Sequence, residues 1–234
     1  MRILAIDTST DVCSVAFFNN GEISSQLKYS SKKHAKILLS MILNLLSKSE
    51  ISLNQLDALA YNCGPGSFTG LRIGISIVQG IGLGKNLPLI GISSLAVVAE
   101  TAWYLTKIKR VLVALNAYRR KIYWAKYQRS NLFNSIWKGV ETETILKPLN
   151  VKSEISSLNG MWCVAGNGWD IYPELMDIKK LYVSTSISII PIAYNILPLA
   201  IIKYKKGNIC SADCSLVELH YDYLSSSGWK KSFP

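Results

Sequence analysis

The chain has 234 residues, of which 49% are hydrophobic and 18% charged, and its formal net charge is +11. This length and composition predict a folded protein of one large or two small domains and exclude a disordered chain. The five cysteines are odd in number and scattered, which argues against a disulfide framework. The longest apolar segment, 187–202, is interrupted by prolines and is shorter than the roughly 20 residues a bilayer needs. With no pattern typical of a signal peptide at residues 1–7, we expect no membrane contact and a cytoplasmic location.

The positive charge lies almost entirely in the second half of the chain. Residues 1–100 carry a net charge of +2, whereas residues 101–234 carry +9. A field of this sign favours a polyanion such as RNA over an acidic small molecule. A lysine-rich solvated surface with no such partner is the alternative.

The first hundred residues predict strands and helices in the order βββαβαβα. We expect strands at 3–8, 13–18, 22–30, 56–62 and 88–92, and helices at 33–48, 71–84 and 95–104. This order is that of one half of an actin-like or ribonuclease-H-like domain of the α/β class. We therefore assign residues 1–105 to a first lobe.

The pattern of strands restarts after residue 105, which predicts a second, smaller lobe over residues 106–234. We expect strands at 111–115, 122–127, 139–146 and 162–165, and a helix at 150–158. Pro191 suits the first position of a last helix that runs to Lys203, with a kink at Pro198. This C-terminal segment could pack back on the first lobe.

The two N-terminal helices are apolar on more sides than a helix covering one face of a sheet requires. The second helix also carries small residues at spacings of four, Gly70/Gly74 and Ser76/Gly80/Gly84, which let another backbone approach closely. We expect these two helices to form an interface with a partner rather than to be wholly buried. The predicted contact residues are His34, Leu38, Leu39, Ile42, Leu45, Leu46, Gly70, Gly74, Ile77, Val78 and Ile81.

The segment 64–70 follows a strand and opens a helix, which is where phosphates bind on helix N-termini. It lacks the residues of a P-loop and is one residue off the dinucleotide fingerprint. Ser67 or Thr69 could equally be the N-cap of the helix. The residues predicted to contact a phosphate or nucleotide are Asp7, Thr8, Gly66, Ser67 and Thr69. We predict no catalytic and no metal-binding residues, since the two histidines are far apart.

Several of these segments together resemble the TsaB (YeaZ) family of tRNA threonylcarbamoyladenosine biosynthesis proteins. The resemblance rests on ILAIDTST at 3–10, CSVA at 13–16, His34, and above all CGPGSFTGLRIG at 63–74. It implies two actin-like (ASKHA) lobes and a non-catalytic partner or activator of TsaD. The reaction implied for TsaD is the transfer of the threonylcarbamoyl group from threonylcarbamoyl-AMP to the N6 amine of the adenosine 3′ of the tRNA anticodon.

The resemblance also implies the assembly. TsaB pairs with TsaD through its two N-terminal helices, forms a homodimer through the same surface when alone, and joins the ATPase TsaE in a larger complex that holds the tRNA. The resemblance implies no cofactor of its own for this chain, with ATP or ADP at the interface with TsaD.

The chain departs from the family pattern at Asn116, Tyr118 and Ser225, and His34 lacks the second histidine found on the same helix of TsaD. Three alternatives remain at this stage. They are an actin-like ATPase, an inactive-peptidase-like protein and a free-standing RNA-binding module.

Overall fold

The first of two sheets is built from the N-terminal strands. The computed structural model describes residues 1–30, 33–130, 137–176, 181–187 (backbone only) and 189–213. Strands β1 (Arg2–Asp7), β2 (Val12–Asn19) and β3 (Glu22–Tyr29) form an antiparallel meander. Strands β4 (Ala58–Gly64) and β5 (Leu89–Ser93) extend it in parallel, which makes the order β3-β2-β1-β4-β5.

The second sheet repeats this arrangement. Strands β6 (Arg110–Ala117) and β7 (Lys121–Arg129) form a hairpin, and β8 (Trp137–Lys138) pairs with the outer side of β7. On the other side, β10 (Gly160–Ala165) and β11 (Leu181–Ile187) run parallel to β6. The short strand β9 (Thr144–Leu146) also pairs with β7. Both sheets therefore have a ribonuclease-H-like order, and the prediction of two mixed α/β lobes is confirmed.

Within the described residues, six α-helices cover the two sheets. They are α1 (His34–Lys48), α2 (Phe68–Lys85), α3 (Ser94–Thr106), α4 (Pro148–Ser156), α5 (Gly168–Ile171) and α6 (Ala193–Lys205). Helices α1 and α2 cover one face of the first sheet, and α6 with part of α3 covers the other. Helices α4 and α5 cover the outer face of the second sheet. None of the helices within the described ranges is long and apolar enough to cross a membrane.

The central strands are apolar in unbroken runs because both of their faces are buried. In β1, Leu4 and Ile6 face α1 and α2, whereas Ile3 and Ala5 face α6. The strand residues that face α6 include small side chains, which allow that helix to lie close to the sheet; examples are Ala16, Ala58 and Ala60. The alternation with a period of two thus sorts the strand residues between two cores.

Helix α3 belongs to both lobes. Leu95, Val98 and Ala102 pack with the second sheet, while Val97 packs with the first sheet and α6. A second link is polar, since Glu143 of the second lobe accepts hydrogen bonds from Ser93 Oγ (3.0 Å) and from the Tyr127 hydroxyl. Burial, and then the carboxylate of Glu143, raise the pKa of Tyr127 well above its usual value, so the phenol stays protonated and donates.

The second lobe differs from the sequence-based prediction in three places. Residues 139–146 do not form one strand, because Gly139 turns the chain at φ +121° with no room for a Cβ beside Lys126 O, 2.0 Å away. The last helix begins at Ala193, two residues after Pro191, and includes Pro198. Strand β11 was not predicted at all. Ser225 lies outside the described residues.

The start of α2 touches the end of β1. Thr8 Oγ1 donates a hydrogen bond to Gly70 O (2.7 Å), and a Cβ on Gly70 would stand only 2.1 Å from the Thr8 carbonyl oxygen. A Cβ on Gly74, one turn later, would stand 2.5 Å from Thr8 Oγ1. By contrast, a Cβ on Gly80 or Gly84 would meet no atom within 4 Å. Gly70 and Gly74 therefore allow this chain's own strand to approach the helix closely. Gly80 and Gly84 lie on the open side of the helix.

This contrast predicts opposite effects of two Gly→Ala substitutions in one helix. Gly70→Ala should lower the free energy of unfolding by about 1–3 kcal/mol, because the backbone of Thr8 must move. Gly80→Ala should raise it by about 0.5–1 kcal/mol through helix propensity alone. Urea unfolding at two protein concentrations measures both and exposes any contribution of association. A Gly70→Ala protein as stable as the wild type would contradict the tight contact.

Candidate functional site

The carboxylate of Asp7 at the end of β1 is sealed inside the first lobe. It is 1% exposed, and its Oδ1 accepts hydrogen bonds of 2.7 Å from both the amide and the hydroxyl of Ser9. Its Oδ2 accepts a 2.7 Å bond from Asn62 Nδ2, and Asn62 Oδ1 is held in turn by Ser94 Oγ and the Gly64 amide. Both carboxylate oxygens are therefore occupied by groups of this chain.

Burial is the largest influence on the pKa of Asp7 and raises it, while the hydrogen bonds from Asn62 and Ser9 and the charge of His34 lower it. The net direction is upward from the usual 3.8. The carboxylate is buried and accepts three hydrogen bonds within the chain, so a metal ion would have to displace or rearrange these contacts to reach it.

The loop between β4 and α2 packs onto the turn that contains Asp7. The Ser67 amide donates to Ser9 O (2.7 Å), and a Cβ on Gly66 would stand 2.6 Å from the same oxygen. Ser67 Oγ accepts from the Gly70 amide and is the N-cap of α2, as one of the two sequence alternatives proposed. Of the predicted phosphate contacts, Asp7 and Thr8 are thus buried, Gly66 and Ser67 pack on Ser9, and Thr69 is exposed. Binding of a nucleotide by these residues stays a prediction.

His34 lies at the first position of α1 and is buried. Its Nδ1 has no hydrogen-bond partner among the described residues, and its charge acts on Asp7. In the part of the chain that is described, no group of three or more His, Cys, Asp and Glu side chains is placed to hold a metal ion.

Most of the predicted interface residues of α1 and α2 lie in this chain's own core instead of on its surface. The reason is that the sheet and the two helices close one apolar cluster, which takes up the inner stripe of each helix. The inward residues are His34, Leu38, Ile42, Leu45, Leu46, Gly70, Gly74 and Val78, while Ile77 and Ile81 are half-buried and Leu39 is exposed.

The opposite sides of the same helices form an exposed apolar surface. Leu39 and Leu43 of α1 are 47% and 51% exposed, and Leu83 of α2 is 56% exposed. We call this the α1–α2 surface; it comprises Ala35, Leu39, Leu43, Ile73, Ser76, Ile77, Gly80, Leu83 and Gly84. A shallow groove between the helices runs from Ala35 to Ile77. Of these residues, the sequence-based contact list omitted Leu43, although its spacing of four from Leu39 signals it, whereas Gly80 and Gly84 were predicted to allow a close approach of another backbone.

A second concave region separates the two lobes. This interlobe cleft has a volume of about 600 Å³. Its first-lobe wall includes Thr10, Tyr29, Gly66 and Phe68, and its second-lobe wall includes Asn116, Tyr118, Tyr123 and Asn167. Tyr29, Tyr123 and Asn167 were not singled out from the sequence, because nothing local shows that they meet across a gap.

The raised pKa of Asp7 predicts how its substitution changes stability with pH. The folded protein binds the Asp7 proton more tightly than the unfolded chain, so this group's contribution to stability is full below about pH 4 and is lost as the pH rises through the folded pKa. Asp7→Asn removes that titration. The stability of the variant relative to the wild type should therefore increase between pH 4 and 7, by about 1.4 kcal/mol for each unit of the shift. Urea unfolding in a pH series measures the difference, and a difference that is flat or falls would contradict the prediction.

Comparison with known proteins agrees with the two-lobed fold. The model of the family described as TsaD, tRNA N6-adenosine threonylcarbamoyltransferase, matches residues 24–193. The tRNA threonylcarbamoyladenosine biosynthesis protein TsaB of Escherichia coli (strain K12) is 41% identical over 213 residues, covering 91% of each chain. The protein of the same name from Haemophilus influenzae is 32% identical and covers 99% of this chain and 97% of its own.

A solved structure agrees with both the sequence and the fold. YeaZ from Pseudomonas aeruginosa superposes with a TM-score of 0.79 at 32% identity, over 92% of this chain and 97% of that one. With relatives of this identity matched over nearly their whole length, the chain belongs to the TsaB family.

Proposed function

We propose that this chain is a non-catalytic partner of a TsaD-type transferase in tRNA threonylcarbamoyladenosine biosynthesis. The observation that carries the proposal is the exposed apolar α1–α2 surface, on a chain in which Asp7 at the end of β1 is buried and hydrogen-bonded by groups of its own chain. The names of the TsaB relatives supply the pathway.

The sealed Asp7 supports the non-catalytic role. Catalysis of phosphate chemistry needs an acidic group that can hold a metal ion or orient a nucleophile. Here Asn62 and Ser9 donate hydrogen bonds to the two oxygens of Asp7. The backbone N–H of Ser67, which could bind a phosphate, donates to the carbonyl oxygen of Ser9. We therefore assign the transfer to TsaD and place any ATP or ADP at the interface with TsaD.

The α1–α2 surface suits a partner of similar structure. Leucines with half of their area exposed on two adjacent helices form a patch of the kind that marks protein interfaces. Gly80 and Gly84 leave open space on α2, so a partner helix can approach its backbone closely. Because the TsaD family model matches α1 and α2 of this chain, TsaD has the equivalent helices, and the two can pack with pseudo-twofold symmetry.

The same geometry allows a second copy of this chain to take TsaD's place, which makes a homodimer the state we propose for the isolated protein. In the larger assembly we propose that the ATPase TsaE joins the pair and that the tRNA is bound by the whole complex in the cytoplasm.

One exposed leucine tests the interface. Leu39→Glu should weaken association with the TsaD homologue of the same organism at least about a hundredfold, equivalent to about 2.8 kcal/mol, because a charge would enter an apolar contact. Gly80→Arg should act similarly by blocking the close approach. Calorimetric titration against TsaD, sedimentation of the chain alone and circular dichroism measure affinity, dimer and fold.

The matched control is Leu149→Glu on α4, because Leu149 is 77% exposed and lies in the other lobe. It should bind TsaD as the wild type does. Folded Leu39→Glu and Gly80→Arg proteins that keep wild-type affinity would place the interface elsewhere. Gly74→Arg is unsuitable as a test, because Gly74 packs against Thr8 and the fold itself would fail.

The non-catalytic role predicts that the purified chain hydrolyses ATP no faster than a buffer control and contains no stoichiometric zinc or iron. A phosphate-release assay and elemental analysis measure these quantities. Turnover that survives purification and disappears in Asp7→Asn would make the chain an actin-like ATPase instead.

A further inference from the structure

The interlobe cleft has an exposed tyrosine on each of its two lips. Tyr29 ends β3 in the first lobe and is 78% exposed, and Tyr118 begins the β6–β7 turn in the second lobe and is 80% exposed. Both line the same cavity, together with the half-exposed Phe68 and the buried Tyr123. Single exposed aromatic residues are common, but two on opposite lips of one cleft provide flat surfaces on both sides of an entering group.

Two arginines follow Tyr118 at the tip of the same turn. Arg119 and Arg120 are exposed and have φ values of +60° and +53°. Glycine or asparagine is favoured in this conformation, so the turn places two cations where its backbone would prefer other residues. The guanidinium of Arg119 lies 5.9 Å from the centre of the Tyr118 ring, which brings the positive charge beside the aromatic lip.

The second-lobe wall of the cleft offers amide groups. Asn116 Oδ1 accepts a hydrogen bond from the Tyr172 hydroxyl (3.3 Å). Asn167 Oδ1 accepts one from the backbone N–H of Asn116 (2.9 Å). Since the chain itself uses both side-chain oxygens, the NH₂ groups are the parts of these side chains left to a ligand. Such donors suit carbonyl and ring-nitrogen acceptors.

We propose that the interlobe cleft binds a nucleotide of a single-stranded RNA. The base stacks on Tyr118 and Tyr29, and the phosphates on either side contact Arg119 and Arg120. A cleft of about 600 Å³ has room for a nucleotide, since ligand pockets span roughly 300–1,000 Å³. The proposal rests on the proposed function for the identity of that RNA, an unpaired segment of the tRNA substrate.

The position of the charges favours a polymer over a free nucleotide. A nucleoside triphosphate would need hydrogen-bond donors for its phosphates at the start of α2, where the backbone amide of Ser67 already donates to Ser9 O. The arginines lie instead at the tip of the turn, where the backbone of a strand entering the cleft would pass. Asp11, on the first-lobe wall, repels the phosphates and limits their path to the arginine side.

The test measures fluorescence anisotropy of a labelled single-stranded RNA of about 12 nucleotides with the full chain, in a salt series. Tyr118→Ala should weaken binding about tenfold, whereas Tyr118→Phe, which keeps the ring, should retain it. The double variant Arg119→Ala/Arg120→Ala should reduce the slope of log K against log salt by about 1.4, the value for two phosphate contacts on a single strand.

Two controls match these variants outside the cleft. Tyr104 on α3 is 61% exposed, and Tyr104→Ala should bind RNA as the wild type does. Lys205→Ala/Lys206→Ala removes two exposed charges at the end of α6 and should leave the slope nearly unchanged. Equal losses in the controls and in the cleft variants would overturn the proposal, as would an RNA that does not bind.

Competition identifies the source of the nucleotide. Addition of ATP or AMP in excess should displace the labelled RNA poorly, because a single nucleotide lacks the second phosphate contact. If AMP or ATP binds with a dependence on Tyr118 and the RNA does not, the cleft is a free-nucleotide site and the proposal is wrong. These assays use the chain without TsaD, so their failure leaves the Leu39→Glu result unaffected and the two proposals can fail separately.

Discussion

The close approach of helix α2 to the end of strand β1 governs the rest of this structure. Gly70 allows the helix to touch the backbone of Thr8, and the loop before it packs on Ser9. Larger side chains at Gly66 or Gly70 would push the helix away from the strand. Helix α2 thus begins beside the carboxyl-terminal end of β1, and ligands of open α/β sheets bind at the carboxyl ends of the strands.

At this end of β1, the polar groups of the chain bind one another. Asp7 keeps its position at the end of the strand, but Asn62 and Ser9 satisfy it internally, and burial raises its pKa. A group held in this way stabilises a local arrangement, and a metal ion would have to displace or rearrange these hydrogen bonds to reach it. The two proposed contact surfaces therefore lie away from Asp7, on the outer sides of α1 and α2 and around Tyr29 and Tyr118.

These two surfaces differ in physical character. The α1–α2 surface is apolar and contains small residues, which suits a large, closely packed contact with another folded chain. The entrance of the interlobe cleft has the exposed Tyr29 and Tyr118. Tyr118 is followed by Arg119 and Arg120 in the second lobe, which has most of the positive charge. The two lobes are joined by α3, which packs on both sheets, and by the hydrogen bond from Ser93 of the first lobe to Glu143 of the second, so both sides of the cleft are attached to a shared core. The proposed protein contact and the proposed RNA contact are thus at separate places on the chain.

The sequence by itself determined the order of elements in the first lobe, the extent of α1 and α2 and the identity of the loop at 63–74, because these depend on local periodicity and on residues close together in the chain. It also predicted that the small residues of α2 allow a close backbone approach. It assigned all of them to the backbone of a partner, whereas Gly70 meets this chain's own Thr8, since Gly70 and Gly80 look alike until a strand lies beside one of them. Only the tertiary structure decided that Leu38 is buried and Leu39 exposed, because in a helix of mostly apolar residues the sheet defines which stripe faces inward. The pairing of Tyr29 with Tyr118 across the cleft likewise depends on two lobes meeting, and no local pattern encodes the distance between segments that are far apart in the chain.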